Sequence, residues 1–305
     1  MQSSIHLGCA IEPRPQSLLI GQALHELRNR LNGQPFFRFL LVCWIVLLAS
    51  CLAPSARAEG SRTCDLEVGE TVEVVLIVDG DTVRLGDGRE IRLVGLQAPK
   101  LGLGRAQFDD WPLADEARDR LAAMVLNKPV QMSYGGTRQD RYGRLLAHLH
   151  LDDGSWVQAR MIAAGAARVY SFADNRACVR ALLAFEDDAR RDRRGIWAMD
   201  YYAIRSADNL AGLLRLENSF QLVEGRVRDV AVVRGRLFLN FGADWREDFT
   251  ITVAPRDLRK FPDEPELYAG ALVRVRGWLK SYNGPEIVVT HPEQIELIPD
   301  RVPPS

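Results

Sequence analysis

The sequence lacks what several protein classes require. It has no surplus of positive charge: 39 Lys and Arg stand against 40 Asp and Glu over 305 residues. That excludes a protein relying on bulk charge to coat nucleic acid, because such affinity comes from neutralising phosphates with Lys and Arg. It has no Cys-x-x-Cys pair and no Cys/His cluster, which argues against structural zinc. Five cysteines in all are too few for a disulfide-dense miniprotein. The apolar run Phe39–Ala49 has eleven residues, short of a comfortable bilayer span, and no heptad or solenoid repeat is visible. What is there is ordinary globular composition, 47% apolar and 26% charged, with length enough for about two domains.

Arg38, the apolar run after it and the small residues leading to Ala56-Arg57-Ala58 read as a targeting segment over residues 1–58, ending in an A-x-A cleavage site. The protein is then exported, periplasmic or secreted. Leu48-Ala49-Ser50-Cys51 resembles a bacterial lipobox, so an alternative is a lipoprotein anchored through Cys51, with a retained N-terminal anchor as a third reading. Any membrane contact would come through that signal or lipid. Residues 59–305 hold 34 basic and 38 acidic side chains and two cysteines, Cys64 and Cys178. In an oxidising compartment these can form one disulfide, or stay as two free thiols.

The first region of the exported body spans 64–198. Alternation over Glu70–Leu85 with a turn at Asp79-Gly80-Asp81 predicts two strands, and Arg89–Leu96 predicts another. Leu113–Leu126 has helical spacing and stops before Pro129. Val130–Tyr134 and Arg144–Leu151 read as further strands. Trp156–Ala164 reads as a short helix closed by Gly165, and Asn175–Arg194 as a longer one with Asp174 as its N-cap and Gly195 closing it. This is a small α+β domain with about five strands and three helices.

Its chemistry-bearing residues lie at the turns: Asp79-Gly80-Asp81-Thr82-Val83, Ile91-Arg92-Leu93-Val94-Gly95-Leu96-Gln97-Ala98-Pro99-Lys100, Asp140-Arg141-Tyr142-Gly143-Arg144 and Gly195-Ile196-Trp197. In this order the four motifs resemble the staphylococcal nuclease (thermonuclease) family, an OB-type five-stranded barrel with three helices. The resemblance covers about 130 residues and implies phosphodiester hydrolysis of DNA or RNA. It implies Ca²⁺ held by an Asp of the first motif and an Asp of the second, a Glu of the second motif as general base, and two arginines gripping the scissile phosphate. A pentacoordinate phosphoryl centre needs that metal and guanidinium charge around it.

Carried onto this sequence, Asp81 matches the first metal ligand, and Arg92 and Arg144 match the phosphate-gripping pair. Gln97 stands at the second metal-ligand Asp and Lys100 at the catalytic Glu. An amide oxygen can still meet Ca²⁺ but brings no charge. An ammonium accepts no proton at neutral pH and repels a divalent cation. Lys100 and Tyr142 are candidates for substrate binding, Lys100 pairing with Asp109, Asp110 or phosphate and Tyr142 stacking on a base. Asp109, Asp110 and Asp115 are candidates to replace the missing base.

Plainer readings stand beside these. Asp79 and Asp81 suit a turn in which their side chains bond local amides, Arg92 an exposed edge position, Arg144 a hairpin flank and Tyr142 the barrel packing. His148 and His150 alternate on a strand and face one side, more simply barrel residues than metal ligands. Asp187–Arg194 reads as a solvated helix face with i,i+4 ion pairs.

After a linker at 199–217, residues 218–298 read as strands Leu222–Val233, Arg236–Phe241 and Phe249–Val253, a short helix Pro255–Phe261, and strands Leu272–Leu279 and Glu286–Leu297. This order resembles a second, smaller OB-like β-barrel. Phe238, Phe241, Trp245, Trp278 and Tyr282 with Arg226, Arg228, Arg274, Arg276 and Lys280 are candidates for a binding face. Two functions follow from the sequence: a divergent nuclease with a weakened Ca²⁺ site, or a catalytically inactive module binding nucleic acid, another polyanion or an envelope protein. The acidic balance of the body suits protein binding better than bulk nucleic-acid binding.

Overall fold

The computed structural model describes residues 64–106, 108–261 and 264–299, which belong to one compact unit. Residues 1–58, read from the sequence as a targeting segment, lie outside the described residues. Strand β1 (Glu67–Asp79) is long and bends. Its first half pairs with β5 (Pro129–Tyr134) and its second half with β2 (Thr82–Leu85), with register shifts in both ladders. With β3 (Glu90–Leu93) and β6 (Leu145–His150) these close a five-stranded barrel in the order β1-β2-β3-β6-β5, its β3–β6 ladder parallel. The alternation of apolar residues puts Val74, Val83, Ile91, Leu93, Met132 and Leu149 inside, all fully buried.

Three helices cover this barrel. Helix α1 (Ala114–Val125) turns Ala117, Leu121 and Val125 to the core, and the chain leaves it through Asn127 at positive φ before Pro129. Helix α2 (Val157–Ala163) ends at Gly165, also at positive φ. Helix α3 (Val179–Arg191) starts later than the pattern predicts and Asp174 does not cap it. The preceding residues are held elsewhere: Cys178 is disulfide-bonded to Cys64 and Asn175 donates to the Thr137 carbonyl at 2.9 Å. A short β4 (Leu96–Gln97) pairs with β7 (Arg168–Val169) beside the barrel.

Residues 199–217, read from composition as a linker, are folded. Tyr202 is buried and its hydroxyl donates to the Pro112 carbonyl at 2.7 Å. Strand β8 (Arg205–Ser206) pairs in parallel with β9 (Phe220–Arg226), and Asn209 caps α4 (Leu210–Leu214).

The second barrel repeats the first one's path. Strands β9 and β10 (Asp229–Val233) form one run broken at Val227-Arg228. Its first part pairs with β13 (Leu272–Ser281) and its second with β11 (Arg236–Asn240), just as β1 divides between two partners. Strands β12 (Thr250–Val253) and β14 (Pro285–Val289) make the parallel ladder, and α5 (Pro255–Leu258) follows β12. The single closing strand predicted over Glu286–Leu297 is two strands. Pro292, with no N–H to give a ladder, starts a 3₁₀ turn, and β15 (Ile295–Ile298) then pairs with β13.

The barrels meet across charge. Arg276, on the outer face of β13, is 1% exposed. It donates to Glu186 Oε1 and Oε2 at 3.1 and 2.7 Å, to the Val169 carbonyl at 3.1 Å and to Glu296. Arg190 bridges the same two carboxylates at 2.9 and 3.1 Å. The Asp187–Arg194 run is therefore not wholly a solvated face: Arg191 pairs locally with Asp187 and Asp188, while Arg190 is turned inward.

Removing one member of such a buried set strands the others. Arg276→Met is expected to lower unfolding free energy by about 3–5 kcal/mol at neutral pH, read by urea denaturation. Burial opposes ionisation of Glu296, yet Arg276 and Arg190 hold its carboxyl down to about 2 against an ordinary 4.5. Its stabilisation is present above the ordinary value and lost as pH falls toward 2. The variant should show a flatter acid limb between those values, and an unchanged limb would contradict this assignment.

Candidate functional site

The open end of the first barrel is shaped by the turn between β1 and β2. Asp79 Oδ1 accepts from the Asp81 amide at 3.0 Å, an Asx turn closed by the chain's own side chain. Gly80 is required here by close approach: a Cβ at this residue would lie 2.6 Å from the Ala98 Cβ and 2.9 Å from the Ala117 Cβ. The turn thus tucks under α1 and carries the Asp81 carboxylate to zero exposure.

Two cations answer that buried charge. The Lys100 ammonium donates to Asp81 Oδ1 at 2.6 Å, Asp81 Oδ2 at 2.7 Å and Asp79 Oδ2 at 3.1 Å. Its partners are therefore the first-motif aspartates, not Asp109 or Asp110. Arg92 Nη2 stands 3.2 Å from Asp81 Oδ2, and its other donors go to the Leu93, Leu96 and Asp81 carbonyls. The Ala98 amide completes the shell at 2.9 Å. Burial works to raise the Asp81 carboxyl, but Arg92, Lys100 and the Ala98 amide outweigh it and hold it well below the usual range. Asp79 goes the other way: burial and the neighbouring Asp81 charge lift it, against the pull of Lys100.

Gln97 does not face this cluster with its oxygen. It lies across the β4–β7 ladder from Arg168, whose Nε and Nη2 donate to Gln97 Oε1 at 3.0 and 2.8 Å. Arg168 is buried against Phe220, Trp111 and Tyr202, ring to guanidinium 4.6, 5.8 and 5.9 Å. Burial brings it down to about 10. Sequence reasoning missed it, and the only local sign was one charge inside Ala166-Ala167-Arg168-Val169. Asp110 is taken by the Gly102 amide and Asp115 by Arg118; neither they nor Asp109 line the cleft.

Beside the cluster lies a cleft of about 540 Å³ whose lining includes Arg92, Gln97, Arg141, Tyr142, Arg144, Tyr170 and Phe172. The Asp140–Arg144 turn builds one wall. Asp140 accepts from the Tyr142 and Arg144 amides and holds the Arg144 guanidinium at 2.8 Å through Nε. Tyr142 is 70% exposed, so it is not barrel packing, and the Arg141 guanidinium lies over its ring at 4.9 Å. Tyr170 and Phe172, ring centroids 5.0 Å apart, also line the cleft and had not been singled out.

His148 is buried, and burial with His150 nearby pulls it down to about 3. Both imidazoles pack on Trp156, with centroids 5.4 and 6.3 Å away. Among the described residues no group of three or more His, Cys, Asp or Glu is placed to hold a metal ion. The ten candidates of the second barrel do not make one face. Phe241 is in the core, Arg276 is in the inter-barrel network and Arg274 pairs with Glu224. Phe238, Trp245 and Tyr282 line a separate cleft of about 530 Å³.

A closed OB-type barrel under three helices, with a charged turn and an aromatic-walled cleft at its open end, defines a nuclease-like domain. Residues 90–199 match the family described as staphylococcal nuclease homologue. An uncharacterized endonuclease of Escherichia coli O157:H7 is 33% identical over 128 residues, 41% of this chain and 75% of that protein. Thermonuclease of Staphylococcus hyicus is 25% identical over 132 residues, 42% of this chain and 76% of that protein, and endonuclease YncB of Bacillus subtilis is 28% identical over 137 residues, 43% and 64%. The chain belongs to the staphylococcal nuclease family.

Lys100→Met removes the main charge favouring ionisation of Asp79 and one of two cations on Asp81. At pH 7 the variant is expected to be less stable than the parent by about 3 kcal/mol or more. Asp79, already raised, rises further, so the folded state binds a proton that the unfolded chain releases, and stability returns as pH falls below that raised value. Urea titrations at pH 7 and pH 4.5 should show the deficit shrinking at the lower pH. A deficit independent of pH would place the charge compensation elsewhere.

Proposed function

We propose that this barrel binds single-stranded nucleic acid in the cleft beside Asp81 without calcium, its ancestral hydrolytic site having been rebuilt around Lys100. The observation carrying this reading is the Lys100 ammonium within 3.1 Å of three carboxylate oxygens of Asp79 and Asp81. Calcium takes six to eight oxygen ligands and favours negative ones. Here two carboxylates are already balanced by Lys100 and Arg92, and the Gln97 oxygen is engaged by Arg168. The residues present do not suit Ca²⁺.

Hydrolysis also needs a base, and neither Lys100 nor Gln97 supplies one. Binding needs less. Arg144 and Arg141 offer guanidinium forks for phosphate oxygens, while Tyr142, Tyr170 and Phe172 offer ring faces on which bases stack. The relatives named as endonucleases and thermonuclease make nucleic acid the polymer to expect. An exported location is our reading of the targeting segment, and the Cys64–Cys178 disulfide suits an oxidising compartment.

The test compares binding and cleavage of labelled single-stranded DNA and RNA with Ca²⁺ and with chelator. Equal binding in both and no cleavage is expected. Arg144→Ala should weaken binding about tenfold or more, the loss of a charge-assisted contact. Lys100→Glu combined with Gln97→Asp should restore calcium affinity. Melting would then rise by about 5–10 °C when Ca²⁺ exceeds its dissociation constant about a hundredfold. Chelator-sensitive cleavage by the unaltered protein would overturn the proposal.

A further inference from the structure

One wall of the first barrel's cleft touches the second barrel. Tyr170, on its wall, accepts a hydrogen bond from Trp278 Nε1 at 3.1 Å, and Trp278 belongs to β13 of the second barrel. Phe220 packs between them, centroids 4.9 Å from Tyr170 and 6.5 Å from Trp278. Trp278 is nonetheless 45% exposed, and Phe172 beyond Tyr170 is 48% exposed. An indole bonded at its nitrogen and packed on one edge has restricted rotation, and its uncovered part is fixed toward solvent.

Side chains alternate along a strand, so residues two apart share a face. On β13, Val273, Val275 and Leu279 point into the second core, while Arg276, Trp278 and Lys280 lie on the outside. Arg276 meets the first barrel and is buried there. Trp278 and Lys280 follow on the same side, both exposed, and Tyr282 continues the alternation just past the strand's end, 84% exposed. From Trp278 to Tyr282 the strand advances about 13 Å. Tyr282 is a wall of the second cleft, where Phe238 and Trp245 also stand and Arg234 contributes a guanidinium. Arg246 lies over the Trp245 ring at 4.5 Å.

We propose that β13 joins the two clefts into one track for single-stranded nucleic acid. A strand seated on Tyr170 and Phe172 passes over Trp278 and Lys280 and reaches the second barrel at Tyr282. This rests on the function proposed above and adds a second module and a minimum ligand length. The chemistry favours a single strand because exposed rings at intervals need unpaired bases, and because a body with 34 basic and 38 acidic residues has no surplus of positive charge to offer a duplex. Lys280 lies opposite Glu286 in the β13–β14 ladder, and Glu286 is held by the Thr252 hydroxyl at 2.5 Å. The track is thus built more from ring faces than from charge.

The experiment measures affinity of the purified full chain for a thymidine dinucleotide and for an oligothymidylate of about 12 nucleotides, within the span one or two such barrels cover. The longer probe is expected to bind more tightly than the dinucleotide. Trp278→Ala should weaken the longer probe at least about fivefold, the loss of one stacked base, and leave the dinucleotide unchanged. Trp278→Phe, which keeps a ring, should retain most of the affinity, so a general packing defect is recognised by loss in both variants and on both probes. Lys280→Ala should reduce the salt slope for the longer probe by about 0.7 and not alter it for the dinucleotide. Dinucleotide binding with no gain from length, or a gain untouched by Trp278→Ala and Lys280→Ala, overturns the joined track alone. Failure of both probes to bind overturns the function proposed for the first cleft, and the track with it.

Discussion

The carboxylate of Asp81 has no exposure to solvent, and an ionised group so placed must be compensated by charge and hydrogen bonds within the protein. That demand organises the open end of the first barrel. Gly80 permits the approach, the Ala98 amide and the Arg92 guanidinium approach one oxygen, and the Lys100 ammonium spans both oxygens and continues to Asp79. Once these are in place the cluster is close to neutral. The Arg92 side chain, committed to three carbonyls and one carboxylate, is 12% exposed, leaving Arg144 and Arg141 as the cleft's more available cations.

The same physics recurs between the barrels. Glu186 is as buried as Asp81, and it is answered by Arg276 from the second barrel, Arg190 from its own helix and the Val169 amide. Arg176 with Glu293 and Ser171 with His291 add polar contacts across the junction. A junction made of charges whose loss leaves uncompensated partners is specific in geometry. It holds Trp278 against Tyr170, so the second barrel's outer strand lies beside the first barrel's cleft.

Much of the fold was legible in residues alone. Period-two alternation marked the strands, and Pro129, Gly165 and the Asp79-Gly80-Asp81 turn punctuated them where expected. The departures have local causes: the disulfide and the Asn175 bond delay α3, Pro292 divides the closing strand, and Tyr202 and β8 give structure to a stretch that composition marked as a linker. The likeness of the two barrels was visible as an order of strands. The shared division of the first strand between two partners emerged only from the ladders.

For the site, the sequence determined which chemistry-bearing residues exist and how their turns are built, because Asx turns, glycine conformations and strand alternation are set within a few residues. It also carries a lysine and a glutamine where the resemblance leads one to expect carboxylates. Which partner each charge takes was decided by the tertiary structure. Lys100 reaches back 19 and 21 residues to Asp81 and Asp79, Arg168 reaches Gln97 across 71, and Arg276 reaches Glu186 across 90. Such pairings leave no periodic trace in the chain, since buried charges are matched by proximity in the folded protein, and only the tertiary fold brings them together.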